Sequence, residues 1–372
     1  MSDTPLFDRL AADRLSTHGL PLPPEPPTTY LRPQTTWRGD LIRDPLTQEM
    51  PTVTQPEHVQ TSHPQRKLGR LPEHPEHLRP RLHLGQFLRG DYKLSVPDVV
   101  DYSTKVASWP MAANDRLGDC TAADAAHGVQ VWTTWGQGQT ITPSDEAVVK
   151  FYSASTGYDP ADPATDQGGN LQEVCEAFRT IGIAGRTIEA FFRVNSDDFD
   201  ELRSALYLFG AVSIGMAFPE FAMDQHENGQ AWDYVPGRTR VKIEGGHDVL
   251  LVGATKGGNL KVVTWGKVQE VTPRFWTRFM GSRAHGEAWA RVEQDWVASS
   301  GIAPGNALDV AALNQAFMSL TGQPGPFTQP ETPQPVDPEP DPVAYDLSRE
   351  LLDAATSLED TAKRLRQLLS GA

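Results

Sequence analysis

The sequence predicts an α+β fold. Helical periodicity fills the first half of the central region, and short β-branched runs bounded by glycine fill the second half. Proline usage delimits that region: 14 of the 31 prolines lie in residues 1–92, and 8 more lie between Pro324 and Pro342. The reading divides the chain into a Pro-rich extended arm (1–92), a folded domain (93–300), an appended helix (301–322), a Pro/acid linker (323–343) and an amphipathic terminal helix (344–372).

The helices come first. Residues 120–134 read as a helix with Ala122, Ala125, Val129 and Trp132 on one face. Ser144 is an N-cap for a second helix, 144–156. "NLQEVCEAFRTIG" places Leu171, Val174, Cys175 and Phe178 together and stops at Gly182, a C-terminal glycine signal. Residues 197–210 make a fourth helix. The period then changes: "AVSIGMAF" (211–218), "HDVLLVGAT" (247–255), "LKVVTWGK" (260–267) and "AWARVEQDW" (288–296) read as strands. Residues 309–322 return to helix. In the tail, Leu351, Leu358 and Leu365 repeat every seven residues, which suits docking, self-association or packing back on the domain.

A formal net charge of −15 argues against nonspecific nucleic-acid binding, which needs a basic surface. No apolar run approaches the length of a membrane span, and the N-terminus lacks a secretory pattern. The arm holds His18, His58, His63, His74, His77 and His83, whose spacings match no compact zinc pattern, so no metal or cofactor is expected. The arm buries too little to order alone and is expected to lie along its own domain or on a partner.

The chemistry centres on one of two cysteines. Cys120 follows "NDRLGD" at a helix start, where the helix dipole favours a thiolate. Read alone it is either a nucleophile or a small core thiol. Asn114 lies six residues upstream, and His247 heads a strand 127 residues downstream, followed on the next strand by "VVTWG". His127 and Cys175 read as buried helix residues.

In these features the sequence resembles the papain-like cysteine peptidases. Their pattern is matched by the amide before the cysteine, the helix at the cysteine, "GGN" (168–170), "AVSIGM", "GGHDVLLVGA" and "TWG", in order over residues 105–297. The resemblance implies a two-lobed papain-like fold, a helical lobe against an antiparallel sheet or barrel lobe. It also implies Cys120 as nucleophile, His247 as base, Asn114 with the Cys120 N–H as oxyanion donors, Gly168 and Gly169 along an extended substrate, and Trp265 over the catalytic pair. The substrate would be a peptide or protein. Three departures stand against it. Asn114 is one methylene shorter than the family's glutamine. Asp119 places a carboxylate beside the thiol. Val263 stands where the family's asparagine orients the histidine, leaving Thr264 or Asp248 to do so, with strand alternation against both.

The rival expectation is a catalytically weak or inactive scaffold of the same fold, an assembly protein that oligomerises through its arm and terminal helix. The domain and "APGNALDVAALNQAFMSLTG" also resemble papain-like proteins of phages of high-GC actinobacteria, which would make it a virion component. A transglutaminase-like amide transfer shares the same Cys–His logic.

Overall fold

The computed structural model of the chain describes residues 66–73, 81–88, 94–234, 241–293, 296, 308–322 and 324–325. Within them the architecture is α+β: helices group ahead of an antiparallel sheet built mainly from the C-terminal half. Nearly all of the expected linker, the terminal helix and most of the arm, with every arm histidine but His83, lie outside the described residues.

Helix α1 (Cys120–Gln137) is the axis of the helical layer. The sequence suggests one buried face, yet every residue from Cys120 to Thr134 is buried. The small side chains of Ala122, Ala123, Ala125, Ala126 and Gly128 explain the difference, since they let neighbours close in on all sides. Helix α2 (Asp145–Thr156) starts as expected at Ser144, whose hydroxyl accepts from Ala147 N–H. Helix α3 (Leu171–Thr180) is capped by Asn170, and α4 (Phe199–Phe209) by Asp198, each side chain accepting two backbone N–H groups. The last described helix, α6 (Val310–Thr321), follows α5 (Glu220–Glu227), which the sequence reading leaves as a connection.

Two short N-terminal strands, β1 (Arg70–Leu71) and β2 (Val99–Asp101), precede β3 (Gly169–Asn170). The main sheet comprises β4 (Ala190–Val194), β5 (Val212–Pro219), β6 (Ile243–Thr255), β7 (Leu260–Thr264), β8 (Lys267–Val271) and β9 (Glu287–Val292). Its order is β4-β9-β5-β6-β7-β8, antiparallel throughout, with β2 paired on β6. β5 is buried along its full length, as befits a central strand covered on both faces.

The expected strand over 260–267 is a hairpin instead. The chain reverses at Trp265 and Gly266, with φ of 42° and 74°, so β7 ends at Thr264 and β8 begins at Lys267. Two successive positive φ values are what a tight hairpin requires, and glycine supplies the second without strain. β9 stops at Val292, and β4 was not legible as a strand.

Candidate functional site

Cys120 is the first residue of α1, and its side chain is buried. The backbone of Asp248, on β6, and that of Gly69 act on its sulfur and favour the anion. Burial pushes the thiol well above its ordinary range, and the carboxyls of Asp248 and then Asp119 push the same way. In this state the group is a neutral thiol.

His247 lies one residue from that Asp248 contact. Its Nε2 is 2.7 Å from the Thr264 hydroxyl, and Trp265 stacks on the ring at 4.3 Å between centroids and 15° between planes. Phe218 meets the ring edge-on. Among the described residues Nδ1 has no hydrogen-bond partner, so the thiol and the imidazole are not bonded here. Burial, followed by the charge of His226, holds His247 down to about 3, so the ring is neutral.

Pairing register decides which residue orients the histidine. β6 and β7 pair with Leu250 opposite Val263, so those two side chains share a face. His247, three residues before Leu250, then shares the opposite face with Thr264. Alternation therefore selects Thr264 and turns Val263 away, where it is buried in the core. Asp248 faces the other way and also cannot act on the ring.

Asn114 departs from its expected role. Ala112 and Ala113 are both in the left-handed region, with φ of 54° and 66°, and they turn the loop into the helix start. There Asn114 Nδ2 donates to Leu117 O at 3.0 Å and Asp119 Oδ1 at 3.2 Å. Both amide protons are engaged, so neither is free to meet a developing oxyanion. Asp119, also buried, is held well above the usual carboxylate range by that burial. His127 is buried against Pro110 O at 2.9 Å and held down to about 4, and buried Cys175 is pushed up to about 12, both chiefly by burial.

Gly168 and Gly169 do line an extended strand, but that strand is the chain's own. Residues 66–71, within the expected arm, run through the groove between the helix start and β6. Lys67 N donates to Asn114 O at 3.1 Å, Gly69 N to Gly246 O at 3.1 Å, and Gly169 N to Gly69 O at 2.8 Å. Trp265 Nε1 donates to Lys67 O at 3.2 Å. β1 then pairs in parallel with β3, Arg70 opposite Gly169. The fit is a glycine fit: a Cβ on Gly69 would lie 1.7 Å from Gly118 O, and one on Gly168 would lie 1.9 Å from Gly69 O. Cys120, Gly246, Trp265 and Gly169 thus converge on one short segment. Nothing in the arm's composition identified these residues; Gly69 was the available signal.

No family model matches the chain, and no curated protein matches it. Among solved structures it is similar to xylellain, a cysteine protease from Xylella fastidiosa, at 13% identity and a TM-score of 0.47, covering 62% of this chain and 97% of that one. It is similar to proCathepsin B S9 from Trypanosoma congolense at 11% identity and a TM-score of 0.43, covering 62% and 88%. It is also similar to digestive procathepsin L 3 of the Tenebrio molitor larval midgut at 13% identity and a TM-score of 0.42, covering 62% and 77%. These likenesses are to the fold.

Among the described residues, no group of three His, Cys, Asp or Glu side chains could hold a metal ion, and no helix is long and apolar enough to cross a membrane.

Proposed function

We propose that the chain is a thiol hydrolase of peptide or amide bonds, held latent by its own residues 66–71. The observations that carry this reading are Cys120 at the first position of α1 and, on β6, His247 with Nε2 anchored on Thr264, Trp265 stacked on the ring and Nδ1 without a partner among the described residues.

With Nε2–H donated to Thr264, Nδ1 carries the lone pair; in this scheme departure of the segment and entry of water bring the ring to the Cys120 thiol, whose proton Nδ1 then takes. The thiolate then attacks the carbonyl carbon, and the imidazolium returns the proton to the departing amine. Water, deprotonated by the same imidazole, releases the acid and regenerates the thiol. The N–H groups of the first turn of α1 are the oxyanion donors in this scheme, with the Asn114 amide holding the loop.

The test is release of the segment in the full-length protein. Gly69→Ala places a methyl group against Gly118 O and displaces residues 66–71 without altering the groove wall. At pH 8 a thiol-reactive epoxide is expected to label Gly69→Ala at least about tenfold faster than wild type, because reaction no longer waits for local opening. Labelling should vanish in Cys120→Ala and persist in Cys175→Ala. Gly69→Ala should also cleave a mixture of quenched peptides, and Gly69→Ala/Cys120→Ala should not. Cleavage that survives loss of Cys120 would sink the reading. So would its absence from Gly69→Ala and from Arg70→Ala alike, which would leave the scaffold alternative.

A further inference from the structure

The groove contains a pocket that the segment fills with an arginine. Arg70 is 3% exposed, and its guanidinium meets Glu287 through Nε at 2.9 Å and Nη2 at 2.5 Å, both on Oε1. Nη2 also donates to His285 O at 2.6 Å. Glu287, at the start of β9, is 1% exposed, and its other oxygen accepts from Trp289 Nε1 at 2.7 Å. The indole thus fixes the carboxylate so that one oxygen faces the pocket.

Space for the guanidinium is built into the sheet. A Cβ on Gly215, on buried β5, would lie 2.6 Å from Arg70 Nε, and one on Gly246 would lie 2.0 Å from Arg70 O. Arg193 also feels Glu287 but donates to Ala288 O, so Glu287's direct cationic partner is Arg70. With Arg70 withdrawn, the Glu287 carboxylate loses its direct cation and opens to the groove that the segment had covered. An open groove therefore presents Glu287 as a site that needs a replacement guanidinium.

We propose that the Glu287 pocket recognises an arginine side chain of an extended peptide, and that such peptides are the substrate class of the Cys120–His247 groove. As a substrate class these peptides rest on the hydrolase reading; their recognition rests on the pocket. The segment's own Arg70 occupies the place of the incoming arginine, so Arg70 and an incoming arginine compete.

The test uses full-length Gly69→Ala and, as an independent way to empty the groove, full-length Arg70→Ala. The probe is a fluorescent peptide with the sequence of residues 67–72, compared with the same peptide carrying citrulline, a neutral isostere, in place of arginine. The arginine peptide is expected to bind at least about tenfold more tightly, as loss of a charge-assisted pair implies. Glu287→Gln in the Gly69→Ala background should bring the ratio near one. Equal binding of the two peptides, binding by neither variant, or a preference that survives Glu287→Gln overturns the proposal. Arginine preference in binding without cleavage of any peptide would remove the hydrolase reading and leave the pocket standing. Cleavage without arginine preference would do the reverse.

Discussion

At the scale of single residues, Thr264 holds the position that matters most to His247. Among the described residues its hydroxyl is the ring's one hydrogen-bond partner, 2.7 Å from Nε2 in a buried site. Thr264→Val keeps the shape and removes that partner, leaving a buried ring nitrogen unsatisfied. Stability is expected to fall by about 1–3 kcal/mol, read as a lower urea midpoint at unchanged slope. Thr264→Ser restores the hydroxyl and most of the loss; equal midpoints for the valine and serine variants would show that the bond contributes nothing. Asn114 teaches the opposite lesson. An amide at a promising spacing is committed to Leu117 O and Asp119, and so acts as a loop clamp.

At the scale of elements, helix α3 joins the groove to the helical layer. Asn170 ends β3, and its Oδ1 accepts from Gln172 N–H at 3.0 Å and Glu173 N–H at 3.3 Å, so one residue closes the strand that carries Gly169 and starts the helix. Asn170→Ala is expected to cost about 1 kcal/mol, measured by thermal or urea unfolding, whereas Asn170→Asp should be nearly neutral because aspartate caps equally well. An alanine variant as stable as wild type would mean that the cap is not limiting. The hairpin at Trp265 and Gly266 works similarly: the same turn that reverses β7 into β8 lays the indole on the imidazole.

Across the whole molecule, the described core holds His247, His127 and the Cys120 thiol in their neutral forms. His247 titrates at about 3 in the folded chain and near 6.5 unfolded. Between those values the unfolded chain binds a proton that the native chain refuses. Stability is therefore lost as pH falls from 6.5 toward 3, by about 1.4 kcal/mol per pH unit for this one residue. His127, held down to about 4, acts in the same direction. Comparing wild type with His247→Gln isolates the term: the variant should lose less stability between pH 6 and pH 4, and parallel curves would show that His247 is not buried neutral. Charge enters the core in pairs: Asp124 with Arg291, where Ser213 Oγ donates to the same Asp124 oxygen at 2.7 Å, and Glu287 with Arg70.

The sequence by itself determined what local patterns can carry. It set the α+β order, the helix starts at Cys120 and Ser144, the core roles of Cys175 and His127, and the strands carrying His247 and "VVT", because caps, glycine stops and periodicities of 3.6 and 2 act over a few residues. Tertiary structure alone decided the rest. The Leu250–Val263 register chose Thr264 over Val263, and the buried Asp119 claimed the Asn114 amide. A six-residue stretch with no local signature entered the groove because Gly69, Gly118 and Gly168 leave room for it and Glu287 awaits its arginine. Strand register and burial settle the first two, and the segment's contacts reach as far as the 217 residues between Arg70 and Glu287, so packing and buried charge decide what no local pattern records.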